Sequence, residues 1–142
     1  MPWLLDSKRI RRAVLIATSV CVMAAADCGF HPRLNEEFAI GAMIRVREAE
    51  QGFKAVNGRY GTLPELTVFY RQVPSRDQFG YEFTVRTIPG SDVYVAVGIP
   101  TRFKDRSMSL YLDQSGVIRG MYRNGGEADV NDPPLKLDGG NP

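Results

Sequence analysis

The sequence of 142 residues suits one domain and leaves little room for two. With 44% hydrophobic and 24% charged residues, it has the composition of a folded chain, which excludes an intrinsically disordered protein. The formal net charge of +2 is unevenly distributed, because four basic residues lie within the first twelve positions: Lys8, Arg9, Arg11 and Arg12.

The N-terminus has the pattern of a secretory signal peptide. Behind the basic residues, fourteen residues (13–26) carry no charge, and they end in three alanines up to Ala26. We therefore predict a signal peptide over residues 1–26, with cleavage after Ala26 and export to the periplasm, cell surface or medium. A permanent anchor would need about 20 apolar residues; an uncleaved anchor and a buried core helix are the alternatives.

Cleavage would also remove the basic character of the chain. The first 26 residues hold four of the 18 Lys/Arg and one of the 16 Asp/Glu, so the remainder carries a net charge of −1. A nucleic-acid-binding protein would present a clustered positive face. We therefore predict no nucleic-acid partner.

One cysteine remains after cleavage. Cys21 lies in the segment to be removed, so Cys28 has no intramolecular partner, and the core must hold the fold without a disulfide. Residues 25–28 resemble a bacterial lipoprotein signal, although Ala25 and Asp27 stand where such signals have a large aliphatic and a small residue. Lipid attachment at Cys28 is therefore an alternative to plain secretion, and membrane contact is expected only through the signal peptide or this lipid.

A long amphipathic helix is predicted after a spacer over residues 27–34. Asn35 is a suitable N-cap, Glu36 and Glu37 favour the positive end of the helix dipole, and Asn57 and Gly58 end the helix. The predicted apolar stripe recurs at intervals of three and four: Phe38, Ala42, Val46, Ala49, Phe53 and Val56.

The other side of this helix is predicted to be solvated. Glu48 and Glu50 are placed on that side. Gly41 and Gly52 lower helix stability by roughly 1 kcal/mol each relative to alanine, and we expect them to allow another element to approach closely. A second, short helix is predicted from Leu63 to about Arg71, opened by a capping box between Thr62 and Glu65.

From Phe79 onward the apolar period changes to two, which predicts four short strands. The residues predicted to alternate inward begin with Phe79, Tyr81, Phe83 and Val85, continue with Val93, Val95, Val97 and Ile99, then Met108, Leu110 and Leu112, and end in a strand over residues 117–122. Tight turns between them indicate an antiparallel meander. A helix packed beside such a sheet is an α+β domain, here over residues 35–122.

Residues 123–142 are rich in Gly, Asp, Asn and Pro, so we predict an irregular tail. Only Val130, Leu135 and Leu137 are expected to be buried there. Its carboxylates could bind calcium, but they do not match the calcium-loop pattern, and we predict no metal and no cofactor. They are Glu127, Asp129, Asp132 and Asp138.

The sequence does not indicate a catalytic site. His31 is the single histidine, and it lies with Cys28 in the predicted spacer, where neither is held rigidly. Nucleophilic catalysis needs a nucleophile and a base fixed together, and a zinc site needs more ligands. We therefore predict a non-enzymatic protein. Tyr94 and Tyr111 are predicted on the open face of the sheet, where they could contact a partner or pair across strands.

Three strings carry a resemblance to a known family. They are residues 56–66 (VNGRYGTLPEL), residues 80–85 (GYEFTV) and residues 110–119 (LYLDQSGVIR). They resemble the globular heads of bacterial type IV pilin-like and type II secretion pseudopilin-like proteins, over roughly residues 35–122. The resemblance implies a helix packed on an antiparallel sheet, an assembly or interaction role and no enzymatic activity.

The chain departs from that family at its N-terminus. Prepilins have an apolar assembly helix after the leader cleavage site, whereas here the apolar segment comes first and His31, Pro32 and Arg33 follow Gly29-Phe30. We expect a pilin-like head without the assembly helix, with envelope, pilus or secretion-system proteins as partners. The alternative is a small periplasmic or lipid-anchored protein that binds a ligand on the open sheet face.

Overall fold

One long helix packs across an antiparallel sheet in the computed structural model, which describes residues 31–137. The signal peptide predicted over residues 1–26, its cleavage after Ala26 and the candidate lipid site Cys28 lie outside the described residues. Neither described helix has the length and apolar character needed to cross a membrane. The elements are α1 (Pro32–Asn57), α2 (Leu63–Phe69), β1 (Asp77–Gln78), β2 (Tyr81–Thr87), β3 (Tyr94–Pro100), β4 (Ser109–Asp113) and β5 (Arg119–Met121).

Helix α1 begins three residues before the predicted N-cap Asn35. Pro32 occupies the first helical position, where its fixed φ suits the helix and its missing N–H is not needed. The predicted spacer over residues 27–34 is therefore wrong at its C-terminal end. The predicted end of the helix is confirmed: Gly58 adopts a φ of 70°, and its N–H donates to the Lys54 carbonyl at 2.8 Å.

The buried side of α1 is displaced from the predicted stripe. Ala42, Val46, Ala49 and Phe53 are buried as predicted, but Phe38 is 47% exposed and Val56 is 73% exposed. The remaining buried positions are Ala39, Met43 and Glu50. Helix α2 runs from Leu63 to Phe69, close to its predicted extent.

The described strands form a five-stranded antiparallel meander in the order β1-β2-β3-β4-β5. The predicted α+β class and antiparallel sheet are confirmed, whereas the predicted number of four strands is wrong. The missed strand, β1, has two exposed residues and so no alternating pattern to detect.

The predicted apolar face of β3 is also wrong. The residues in the core beside α1 are Tyr94 and Ala96, not Val95 or Ile99. On that face Gly98 lies opposite Phe83, and a Cβ at Gly98 would lie 3.1 Å from the Phe83 ring. The small residues of β3 therefore make space for large aromatic side chains of β2, a compensation that hydrophobic alternation cannot reveal.

The C-terminal segment packs on the sheet instead of leaving it. Leu135 N–H donates to the Ile118 carbonyl at 2.9 Å, and Pro134 forms an isolated bridge with Arg119. Residues 123–137 contain no helix or longer strand, yet Ala128 and Asp132 are buried there, while Val130 is half exposed. The packed unit thus extends beyond the boundary predicted at residue 122.

The two glycines of α1 give a matched test of this packing. A Cβ at Gly41 would meet no described atom within 4 Å, whereas one at Gly52 would lie 3.3 Å from the Phe69 ring. Gly41→Ala should therefore raise the free energy of unfolding by about 1 kcal/mol, the helix-propensity gain. Gly52→Ala should gain less or lose stability, because Phe69 must move. Equal gains in urea denaturation would contradict the described contact between α1 and α2.

Candidate functional site

The most unusual side chain in the described structure is Glu50 of α1. Its exposed fraction is 0%, so its predicted place on the solvated side of the helix is wrong. Glu50 follows Met43 by seven residues and Val46 by four, and it precedes Phe53 by three. These intervals put it on the buried side of the helix. That spacing was readable from the sequence, but the charge of the residue argued against burial.

Only one oxygen of the Glu50 carboxyl has a partner among the described residues. Oε2 accepts a hydrogen bond from Gly61 N–H at 2.8 Å, whereas Oε1 has none. Burial raises the pKa of Glu50 from 4.5 to about 7, which outweighs the lowering effect of the Gly61 bond, and the nearby charge of Glu65 raises it further. The carboxyl is therefore neutral in acidic solution and ionises near neutrality.

The Gly61 bond holds the α1–α2 loop, residues 58–62, against the helix. A Cβ at Gly61 would lie 3.0 Å from Leu66 and 3.2 Å from Phe53, so a larger residue here would require these side chains to shift. Beside it, the Tyr60 ring lies 4.7 Å, centroid to centroid, from the ring of Tyr94. The loop is thus held at Gly61 by a buried hydrogen bond and at Tyr60 by an aromatic contact.

Polar contacts complete the start of α2. Glu65 Oε2 accepts the Thr62 N–H at 2.8 Å, which confirms that Glu65 reaches back to its cap as the capping box predicts. Arg59 donates to both Glu65 oxygens, at 2.6 and 3.2 Å. This ion pair, with the Thr62 bonds, lowers the pKa of Glu65 to about 2.

Two open grooves lie on either side of the Arg59–Glu65 pair. The apolar groove, of about 570 Å³, lies between the end of α1 and α2; its other lining residues are Phe53, Val56, Asn57, Pro64, Val68 and Phe69. The turn groove, of about 480 Å³, reaches the β2–β3 turn; its other lining residues are Tyr60, Thr62, Thr87, Ile88, Pro89, Gly90 and Ser91.

The hydrophobic side chains that line the apolar groove are unusually exposed to solvent. Val68 is 87% exposed, Val56 73% and Phe69 43%. These side chains can bind apolar groups by dispersion and by the release of water, and the flanking ion pair supplies a polar edge. The sequence pattern does not indicate this groove, because helical spacing predicts Val56 in the core stripe and no motif marks Val68.

The structure does not bring the two predicted interface tyrosines together. Tyr94 is only 3% exposed and packs in the core beside α1, so its placement on the open face is wrong. Its ring contacts that of Tyr60 in the α1–α2 loop. Tyr111 lies on the opposite face, where it is directly across from Val97 and its hydroxyl donates to Asp113 Oδ2 at 3.2 Å.

The other candidate site residues are also separated. His31 is exposed just before α1. Glu127 pairs with Arg86, and Asp129 and Asp132 both pair with Arg123; Asp138 lies outside the described residues. Within residues 31–137 there is no group of three or more His, Cys, Asp or Glu side chains arranged to hold a metal.

No protein-family model matches the chain, and neither a search of curated proteins nor a search of solved structures finds a match. The resemblance to pilin-like heads therefore stays a prediction that rests on the three sequence strings.

The buried carboxyl predicts how stability depends on pH. The folded-state pKa of Glu50 is raised above its unfolded value of 4.5, so the folded state holds the proton more tightly and stability falls as pH rises from about 4.5 to about 7. The fall should reach at most about 3 kcal/mol. Glu50→Gln keeps an oxygen acceptor for Gly61 but cannot ionise, so it should flatten the profile in this window.

The control is Glu48→Gln, which changes an exposed carboxylate two residues away on the same helix. Denaturation midpoints and slopes measured across this pH range would give both profiles. If the Glu50→Gln profile runs parallel to that of the wild type, Glu50 does not ionise in a buried environment.

Proposed function

We propose that the protein is an exported, non-enzymatic interaction protein of the bacterial cell envelope, built as a pilin-like head, which binds apolar side chains of partner proteins in the apolar groove. The observation that carries the proposal is the cluster of Val56, Val68 and Phe69, three exposed hydrophobic side chains that line one groove. A contiguous exposed apolar patch with a polar edge is typical of protein-binding sites.

The groove has the construction of a binding site for one or two anchor residues. Phe53 at its base is buried, and its ring meets Phe69 edge-on at 5.4 Å between centroids. Val56 and Val68 rise from two different helices, so neighbouring secondary structure fixes their spacing. Interfaces obtain most of their affinity from a few such anchored contacts, surrounded by polar groups like Arg59 and Glu65.

The chemistry of the site favours binding over catalysis. Glu50, the one carboxyl here with a raised pKa near 7, lines neither groove and so would not meet a substrate in either. The Glu65 carboxyl at the edge of the grooves is held ionised by Arg59 and Thr62, which makes it a poor proton acceptor.

A ligand site on the open face of the sheet is the weaker alternative. On that face, Ser109 donates to the carbonyl of Gly126 at 2.5 Å, and Val97 is buried. The C-terminal segment therefore occupies part of the surface that such a ligand would need.

A single exposed substitution tests the groove. Val68→Glu puts a charge in the apolar groove without disturbing the core, because Val68 is exposed. In native fractionation of solubilised envelopes, wild-type protein should migrate with a larger assembly, and Val68→Glu should migrate as the free chain. Val130→Glu, which changes an exposed valine of the C-terminal segment, should behave as wild type. A wild-type protein that migrates alone would contradict the proposed role.

Export is tested by intact mass and N-terminal sequencing of protein purified from its native host. Cleavage after Ala26 should give a mature chain that begins at Asp27. A lipid-modified Cys28 would instead support envelope attachment as a lipoprotein. A chain that retains Met1 and the residues after it would contradict both forms of export.

A further inference from the structure

The two grooves share one loop, and that loop is attached to a carboxyl that can lose its charge. The loop carries Arg59 into both grooves and Tyr60 into the turn groove. Directly after them, Gly61 donates to Glu50 Oε2 at 2.8 Å. The shape of the two grooves therefore depends on whether the Glu50 carboxyl keeps its hydrogen bond with Gly61.

An ionised Glu50 has no cation to compensate it among the described residues. Of the two basic residues that flank it on α1, Arg47 donates to the Gly116 carbonyl at 3.1 Å, whereas Lys54 pairs with Asp92 at 2.5 Å and donates to the Tyr60 hydroxyl of the loop at 3.4 Å. Arg59 of the loop donates to both Glu65 oxygens, and the other titratable groups around this packing are acidic or phenolic: Glu65 of α2, Tyr60 of the loop, Tyr94 of β3 and Asp113 of β4. Among the described residues a negative charge at Glu50 has only the Gly61 N–H as a hydrogen-bond donor, so further stabilisation must come from water.

The elements around Glu50 differ in how readily they can admit that water. On one side lie α1 and β3, which are held by continuous backbone hydrogen bonds within the helix and the sheet. On the other side lies the loop, in which Gly58 and Arg59 are exposed, Tyr60 and Thr62 are half-buried and Gly61 is buried. Local opening occurs preferentially where few buried contacts must be broken, which favours opening at the loop over opening of the helix or the sheet.

We propose that Glu50 is a proton-dependent latch of the α1–α2 loop, closed when the carboxyl is neutral and released when it ionises. The neutral carboxyl accepts Gly61 N–H through Oε2, and its burial costs far less than that of a carboxylate, although its O–H has no acceptor among the described residues. Loss of the proton to solvent leaves a carboxylate whose Oε1 requires hydrogen-bond donors, and the loop moves away from α1 to let water supply them. The raised pKa places this change near neutral pH.

Release of the loop would alter the binding surface. The Tyr60–Tyr94 ring contact and the Arg59–Glu65 pair both depend on the position of the loop, and Arg59 lines both grooves. Partner binding in the apolar groove should therefore change between acidic and alkaline conditions. This consequence rests on the proposed function, whereas the latch itself does not.

Amide hydrogen exchange tests the latch without any partner. Between about pH 5.5 and about pH 8, the protection factor of Gly61 N–H, corrected for intrinsic exchange, should fall about tenfold or more in the wild type. In Glu50→Gln it should stay constant. The matched control amide is Met108 N–H, which donates to Glu36 Oε2 at 2.8 Å and should keep its protection in both proteins.

The outcomes separate the latch from the proposed function. Unchanged Gly61 protection in the wild type would overturn the latch, because the ionised carboxyl would then be hydrated with the loop closed. An equal fall in Glu50→Gln would also overturn it. The wild-type measurement needs no variant to fold. If Gly61 is released while Val68→Glu leaves envelope fractionation unchanged, the latch stands and the proposed groove function fails.

Discussion

Close packing of α1 on the sheet is the constraint on which the rest of the structure depends. Ala39, Ala42 and Ala49 are almost completely buried on the helix, and they allow close approach to a sheet that contributes the large rings of Tyr81 and Phe83. Protein interiors have the density of organic crystals, so small residues on one element must be matched by large ones on the other. The same helix face carries Glu50 into the interior, where its carboxyl has no access to water.

The burial of Glu50 then determines the path of the chain after α1. Its carboxyl supplies the acceptor that Gly61 N–H needs, and the loop turns back across the helix close to Leu66 and Phe53. Helix α2 begins directly after the loop, at Leu63. Its exposed residues Val68 and Phe69 therefore lie beside Val56, and the three line the apolar groove. The hydrogen bond between the buried Glu50 carboxyl and Gly61 thereby positions the surface that we propose to bind partners.

The sequence predicted those features that depend on local pattern. Helical spacing, the capping box of Thr62 and Glu65, and four of the strands follow from periodicity and turn chemistry, and they agree with the structure. Features that depend on tertiary context did not follow: the inward face of β3 is set by packing against the ring of Phe83, and the burial of Glu50 is set by the packing of its side of α1, which the charge of the residue conceals. Hydrophobic patterning places valine inside and glutamate outside. It fails at β3, where Tyr94 is buried, and at Glu50, whose buried carboxyl accepts the Gly61 N–H.

The most direct measurement of the central claim is a carbon-13 NMR titration of the Glu50 side-chain carboxyl, assigned by comparison with Glu50→Gln. Burial against Gly61 predicts a midpoint near pH 7, well above the ordinary value of 4.5. A midpoint close to 4.5 would show that the carboxyl is hydrated in the folded protein. That result would contradict both the buried anchor of the α1–α2 loop and its release by loss of a proton.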